Sequence, residues 1–307
     1  MLNGAKSLLR VAARQRFRVE QAKYRGEEIL SPQAGNDFLH ESCGNASAFA
    51  AGKIGAAELG GLMHYNRYKN SSGYCAHWGR HATLLHRNAG VYPSEPETFS
   101  RFCQVYAESL CSLDLLAVWF HWGERSVRRR NAPNARLVSL TGLEPYYHSR
   151  PWSQQLAGKK VLVLTPFARS VHSQAGRLQQ VWRLKPEVMP DIELQTLRVP
   201  LSAALEKPVH ANWFSALDAM TQEMASRTFD VALVGAGAWS LPLVARAKQM
   251  GKWAIHLGGA TQILFGINGG RWDDNSLVAA ANNEAWVRPG EDERPSSFRS
   301  IEQGCYW

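Results

Sequence analysis

FDVALVGAGAWSLPLVARAKQMGKWAIHLGGATQILFGINGGRWD, residues 229–273, decides how the chain is read. Residues 230–234 form a short apolar run, the pattern of a strand buried on both faces. The run ends at Gly235-Ala236-Gly237. Ser240 can then cap a helix that reaches about Met250, where Gly251 stands as a helix C-terminal glycine. Residues 253–256 read as a second strand. Gly258-Gly259 follows at once and leads into a second helix over 259–266 carrying Gln262. The same unit of strand, glycine turn and helix therefore occurs twice.

Glycines let a backbone approach a ligand closely, and free N–H groups at a helix N-terminus favour anionic oxygens. Such a site lies at the carboxyl ends of the strands in open α/β sheets. The same glycines also suit tight βα turns with no ligand. GAGAWS departs from the dinucleotide fingerprint, because Ser240 stands where its third glycine belongs. A P-loop is excluded, since no GxxxxGK[ST] occurs.

Outward from this stretch the alternation continues. KVLVLT (160–165) is the cleanest strand of the chain, followed by a turn with Phe167 and a helix over 170–182 that contains Ser170 and Gln174. A strand over 192–199 and a helix over 211–226 come next. Trp213, Phe214, Leu217, Met220 and Met224 are spaced on that helix for burial. In the first part of the chain, residues 46–54 read as a strand, with a helix starting at Ala56 and a strand over 115–120. A weaker strand covers 137–140. The fold class is α/β, with Rossmann-like parallel sheets covered by helices in two α/β halves. The organisation is a basic helical extension (1–30), an N-terminal half (31–150) and a C-terminal half (151–307). The Pro- and Gly-containing stretch 141–159 separates the halves.

At 45% apolar and 20% charged residues, the 307-residue chain matches an enzyme-sized globular protein. No apolar run is long enough to span a bilayer, and no signal-peptide core follows the basic N-terminus. Five widely spaced cysteines without a CxxC fit a reduced compartment and no zinc motif. Localisation is expected in the cytoplasm, peripherally at the inner face of the membrane. The net charge of +9 sits largely in the first 25 residues and in RSVRRR (125–130). Residues 1–25 can meet an anionic membrane surface, or form a solvated helical face. No nucleic-acid module occurs, so no specific nucleic acid is expected. Residues 64–93 mix tyrosines, histidines and asparagines with Trp78, a composition that suits sugar rings and hydroxyls. Glu58 falls in the first turn of its helix, where the dipole favours a carboxylate; alternatively it faces a ligand cleft.

Several blocks together resemble the bacterial proteins described as GT-D-fold glycosyltransferase-like. They are KIGAAELGGL (53–62), NAGVYP (88–93), KKVLVLTPFARSVHSQ (159–174), FDVALVGAGAWSLPL (229–243), MGKWAIHLGGATQILFGINGGRW (250–272) and the final EQGCYW. The resemblance implies a nucleotide-sugar donor and a D-x-E motif that helps hold a divalent cation, Mn²⁺ or Mg²⁺. Here that motif reads Ala56-Ala57-Glu58, so only Glu58 carries over. Asp273 or Asp274 is the candidate second ligand.

On this reading the protein transfers a sugar from a nucleotide-sugar to a glycan or lipid-linked acceptor, a cell-surface polysaccharide precursor. Glu58 and His256 are the catalytic candidates, each as base. Gly55, Gly235, Gly237, Gly258 and Gly259 would hold the diphosphate, with Lys53, Arg169 and Arg271 in support. Asn88, Phe167, Ser170, Gln174 and Gln262 would contact sugar or base. Glu58 and Asp273 would hold the metal. The alternative is a non-catalytic nucleotide- or glycan-binding protein on the same scaffold. A nicotinamide enzyme is disfavoured, because Ile255-His256-Leu257 stands where an acid is required.

Overall fold

Eight strands form one parallel sheet: β1 (Ile29–Leu30), β2 (Phe49–Lys53), β3 (Leu115–Val118), β4 (Arg136–Ser139), β5 (Lys160–Thr165), β6 (Glu193–Arg198), β7 (Val231–Val234) and β8 (Trp253–His256). The computed structural model describes residues 15–45, 47–71, 74–203 and 209–307. The strand order is β1-β4-β3-β2-β8-β7-β5-β6. All strands of the first half therefore lie on one side and all strands of the second half on the other. The two halves expected from the sequence share a single sheet, joined where Phe49, Ala50 and Ala51 of β2 pair with Trp253, Ala254 and Ile255 of β8.

Side-chain alternation builds two cores from the same strands. Leu162 and Leu164 of β5 and Ala232 and Val234 of β7 enter the core on one face of the sheet. Val161, Val163, Val231 and Leu233 enter the core on the other. The helices Ala56–Tyr68, Pro96–Cys111, Trp213–Ala225 and Ser240–Gln249 cover the first face. The helices Pro32–Gly44, Ala168–Ser173 and Ala260–Leu264 lie on the second. Burial on both faces explains why these strands read as unbroken apolar runs.

Several boundaries differ from the sequence reading. The helix expected over 170–182 ends at Ser173 and continues as a 3-10 turn and the short helix Leu178–Val181. It breaks at Gln174, whose buried Nε2 donates to the Ala285 carbonyl at 2.8 Å. The strand expected over 115–120 stops at Val118, so Trp119 and Phe120 belong to a loop. Of the basic N-terminal helix, residues 15–23 are helical and residues 1–14 lie outside the described residues. The basic block at 125–130 is partnered: Arg125 and Arg128 both pair with Glu27. Residues 298–307 fold back onto the body, as their aromatic ending suggests. The Trp307 indole donates to the Glu293 carbonyl at 2.9 Å and packs edge-on against Phe167. Among the described residues no helix is long and apolar enough to cross a membrane.

Candidate functional site

The carboxyl ends of β2 and β8 lie side by side at the middle of the sheet. Lys53 is the last residue of β2 and is only 8% exposed. Its Nζ lies 4.8 Å from the centroid of the Trp119 ring. No carboxylate pairs with it among the described residues. Burial pushes the ammonium down to about 8; Glu144, in the loop after β4, opposes that shift and Arg271 adds to it. A cation removed from water without a partner is costly. Its cost falls sharply when an anion enters.

Gly258 stands against this lysine. Its φ is +61°, and a Cβ there would lie 3.1 Å from Lys53 Cε. The Gly258 turn therefore presents bare backbone at the lysine. Gly259 sits between Tyr306 and Trp272, whose rings a Cβ would meet at 2.9 and 3.0 Å. His256 closes the floor. Its Nδ1 is 3.3 Å from the Val234 carbonyl oxygen, the distance of an N–H donating to it. Burial, then the nearby Lys53 charge, drives this imidazole down to about 3. It is neutral at physiological pH and too weak a base to take a proton there. It can still accept a hydrogen bond at Nε2.

Glu58 lies in the first turn of its helix and is 7% exposed. Its carboxyl folds back over Gly55: a Cβ on Gly55 would meet Oε2 at 2.2 Å. Burial pushes the acid up to about 7, opposed by its own backbone N–H and aided by the charge of Glu302. Glu302 belongs to the returning tail, where Glu302 and Gln303 have positive φ values of 45° and 64°. Its carboxylate accepts from Tyr306 Oη at 3.1 Å and pairs with Arg271 at 3.3 Å. Arg271 also donates to Tyr306 Oη at 2.6 Å. The tail thus carries Glu302 and Tyr306 over the glycine turn.

The other candidates fall elsewhere. The helix N-terminus after β5 already holds an internal anion. Glu293, fully buried, accepts from the backbone N–H groups of Arg169 at 2.7 Å and Ser170 at 3.2 Å, and from the Ser170 hydroxyl. Arg169 itself pairs with Asp292 at 2.8 Å. Phe167 is buried under Trp307. All three therefore have partners within the protein. Gln174 and Gln262 commit their Nε2 atoms internally, Gln262 to the carbonyls of Ile267 and Tyr306 at 3.2 Å each, while both Oε1 atoms are buried with no hydrogen-bond partner among the described residues. Gly235 packs against the next turn, where a Cβ would meet the Gly258 carbonyl oxygen at 2.6 Å. Gly237 packs on the Ala89 carbonyl at 3.1 Å. Gly235 is half-buried and Gly237 exposed, and each packs closely on a neighbouring backbone carbonyl. Asn88 sits in the last turn of the helix Tyr74–Ala89, where its Oδ1 accepts from Arg87 Nε at 3.4 Å.

The residues suggested for a divalent cation do not fit one. Asp273 is exposed and paired with Arg288 at 3.0 Å. The Glu58 carboxyl is folded over Gly55 and its burial disfavours the charged form, and Ala56 offers no ligand. Among the described residues, no group of three or more His, Cys, Asp or Glu side chains could hold a metal. The buried charge at the strand ends is the cation of Lys53.

Beside Lys53, across the Trp119 ring, opens a cleft of about 630 Å³. Ala56, Leu59 and Met63 of one helix form one wall, and the loop 119–122 forms the other. That loop is fixed by Glu124, fully buried, which accepts from the backbone N–H of Trp119 at 3.0 Å and of His121 at 3.3 Å. Phe120, between them, has a φ of +58°, a conformation that needs such support.

Trp119, Glu144, Glu302 and Tyr306 were not singled out from the sequence. Their signals were present. Trp119 and Glu144 follow the β3 and β4 strands directly, where ligand groups collect. Glu302 and Tyr306 lie in the EQGCYW block.

No protein-family model and no curated protein matches the chain. A solved structure of domain of unknown function 1792 is similar to it with a TM-score of 0.44 and 15% identity, over 91% of this chain and 96% of that one.

Proposed function

We propose that the chain is a glycosyltransferase that takes its donor as a nucleoside diphosphate sugar at the ends of β2 and β8. The observation that carries this reading is Lys53, a buried cation with no carboxylate paired to it among the described residues, facing the bare backbone of Gly258. A diphosphate would satisfy both, and Arg271 would add a second positive charge. In the transfer, an acceptor hydroxyl oxygen forms a bond to the anomeric carbon. The bond from that carbon to the diphosphate oxygen breaks, and its electron pair leaves with the phosphate. Lys53 and Arg271 stabilise the charge that develops there. The acceptor proton passes to a carboxylate, and Glu58, at about 7, is matched to that task. His256 would orient through a hydrogen bond rather than act as base.

The second reading is a nucleotide- or glycan-binding protein without transfer. Two observations favour it: Ala56 stands at the aspartate position, and the Glu58 carboxyl is folded over its own helix terminus.

A calorimetric and thermal-shift panel of UDP-, GDP-, ADP-, CMP- and dTDP-sugars tests both, with and without Mn²⁺, on wild type and Lys53→Met. Stabilisation by one nucleotide class that vanishes in Lys53→Met supports the donor site. Release of nucleoside diphosphate on adding acceptor then separates transfer from binding alone. A well-folded protein indifferent to every compound would overturn the donor reading.

A further inference from the structure

The cleft beyond Trp119 has a composition that the donor does not explain. Its aromatic and apolar surface comes from residues such as Phe17, Tyr68 and Trp122, with Leu59 and Met63 beneath. Its charge comes from Arg16 and Arg67. Among the described residues lining it there is no carboxylate, no amide and no aliphatic hydroxyl side chain. A neutral sugar needs such groups to match its hydroxyls, so this cleft is poorly suited to one. His64, His81 and His121 line it too, and burial lowers the last two.

The rim is unusual in the same way. Phe17 is 45% exposed, Val19 53% and Trp122 54%, and Arg16 lies over the Trp122 ring at 5.8 Å. Arg16, Phe17, Arg18 and Val19 alternate along the helix 15–23. Exposed apolar side chains interleaved with arginines match the boundary of an anionic bilayer.

We infer that the cleft takes an amphiphile with a phosphate headgroup and an unbranched or prenyl-like apolar chain, drawn from the membrane side as the acceptor; its phosphate oxygen then takes the place of the hydroxyl oxygen in the new bond to the anomeric carbon, and the nucleoside diphosphate leaves with the electron pair of the bond that breaks. The phosphate meets Arg16 and Arg67, and the chain lies along Leu59, Met63 and the aromatic loop. Trp119 lines the cleft and its ring centroid lies 4.8 Å from Lys53 Nζ, so the acceptor and donor sites adjoin there. The role as acceptor rests on the transferase reading above; the chemistry of the ligand does not.

The probe is farnesyl phosphate below its micellar concentration, measured by calorimetry and by tryptophan fluorescence. Farnesol, inorganic phosphate and UMP are the controls. Farnesyl phosphate should bind about tenfold or more tightly than either farnesol or phosphate, because chain and charge are both recognised. Arg67→Gln should reduce that affinity several-fold and leave farnesol unaffected. Gly60→Met blocks the cleft by a route that keeps the fold: a Cβ at Gly60 meets only His81, at 3.5 Å, and methionine favours the helix. It should abolish farnesyl phosphate binding. Lys53→Met should leave it within about twofold, since Lys53 is not among the residues that line the cleft. Loss of nucleoside diphosphate binding in Lys53→Met alone, and of farnesyl phosphate in Gly60→Met alone, separates the two sites. Farnesyl phosphate binding no better than phosphate or farnesol would overturn the inference. So would UMP binding that Gly60→Met removes, which would assign the cleft to the nucleoside. Farnesyl phosphate binding without any nucleotide binding would leave the cleft's ligand standing and remove the donor reading.

Discussion

The Glu293 carboxylate and Ser170, 123 residues apart in sequence, are joined by the Ser170 backbone N–H and hydroxyl, both donating to the acid. This contact decides what the helix Ala168–Ser173 can do. An N-terminus that would otherwise suit an external anion is occupied from within.

Glu293→Gln keeps the volume but turns an acceptor into a partial donor toward these groups. It should cost about 2–4 kcal/mol of stability, because buried donors lose a charged partner. Urea denaturation of the variant measures this. No change in the midpoint would show that the contact is energetically idle.

Lys53→Met should raise the stability of the ligand-free protein by about 1–2 kcal/mol, since it removes an uncompensated buried charge while keeping the aliphatic stem. The same change should weaken nucleoside diphosphate binding by about tenfold or more. A variant that is less stable than wild type would mean that Lys53 has an effective internal partner.

Lys53 also sets a pH dependence. Its folded value, about 8, lies below its ordinary value, so the ligand-free protein binds fewer protons than the unfolded chain between about 8 and 10.5. An anion favours the charged form. Affinity for the diphosphate should therefore fall as pH rises through 8, approaching about tenfold per pH unit, with proton uptake on binding. Lys53→Arg should flatten the profile, because a guanidinium stays charged. A flat wild-type profile from pH 7 to 9.5 would remove Lys53 from the site.

Glu58 gives the opposite test, on stability. Its folded value, about 7, lies above its ordinary 4.5. The folded state takes up the proton, so this contribution is fully present below about 4.5 and is lost as pH rises through 7. The loss amounts to about 3 kcal/mol. Compared with Glu58→Gln, wild type should lose stability across that window and then run parallel. Glu124, also pushed up to about 7, adds a slope of the same sign that the variant retains. Parallel curves throughout would place the Glu58 carboxyl in water.

Gly235→Ala should destabilise by about 1–3 kcal/mol, because the new Cβ meets the Gly258 carbonyl oxygen at 2.6 Å. The strain falls on the turn that faces Lys53, so diphosphate binding should weaken with it. Denaturation and calorimetry on one variant report both effects. Unchanged values would show that the two turns can move apart.

The strands β5, β7 and β8 were legible nearly to the residue, because a strand buried on both faces is an apolar run bounded by charge and glycine. That Lys53, Glu58, His256 and Gly258 fall near one another was legible for a related reason: strand ends mark where a parallel sheet opens. Two-residue β1 was not, since so short a run has no pattern. The internal partners of Ser170, Gln174 and Gln262 were not legible, because Glu293, Ala285 and Tyr306 are each supplied by a distant segment. Nothing local distinguishes a polar side chain that meets a ligand from one that meets a far carbonyl. Gly235 and Gly237 show the same limit, as a glycine admits a ligand and a neighbouring turn equally well.

The β2–β8 pairing has a kinetic meaning. It ties segments from opposite regions of the chain, and the Trp253 indole donates to Ser42 Oγ across 211 residues. Contacts this distant form late, after nearer pairings have reduced the loop to be closed. Lys53 leaves water only once β8 docks beside it and Gly258 arrives. A growing chain therefore carries an ordinary solvated lysine through most of its synthesis. Ligand affinity comes with the last step of sheet closure, so capture of a nucleotide would mark completed folding and pull the final docking equilibrium toward the native state.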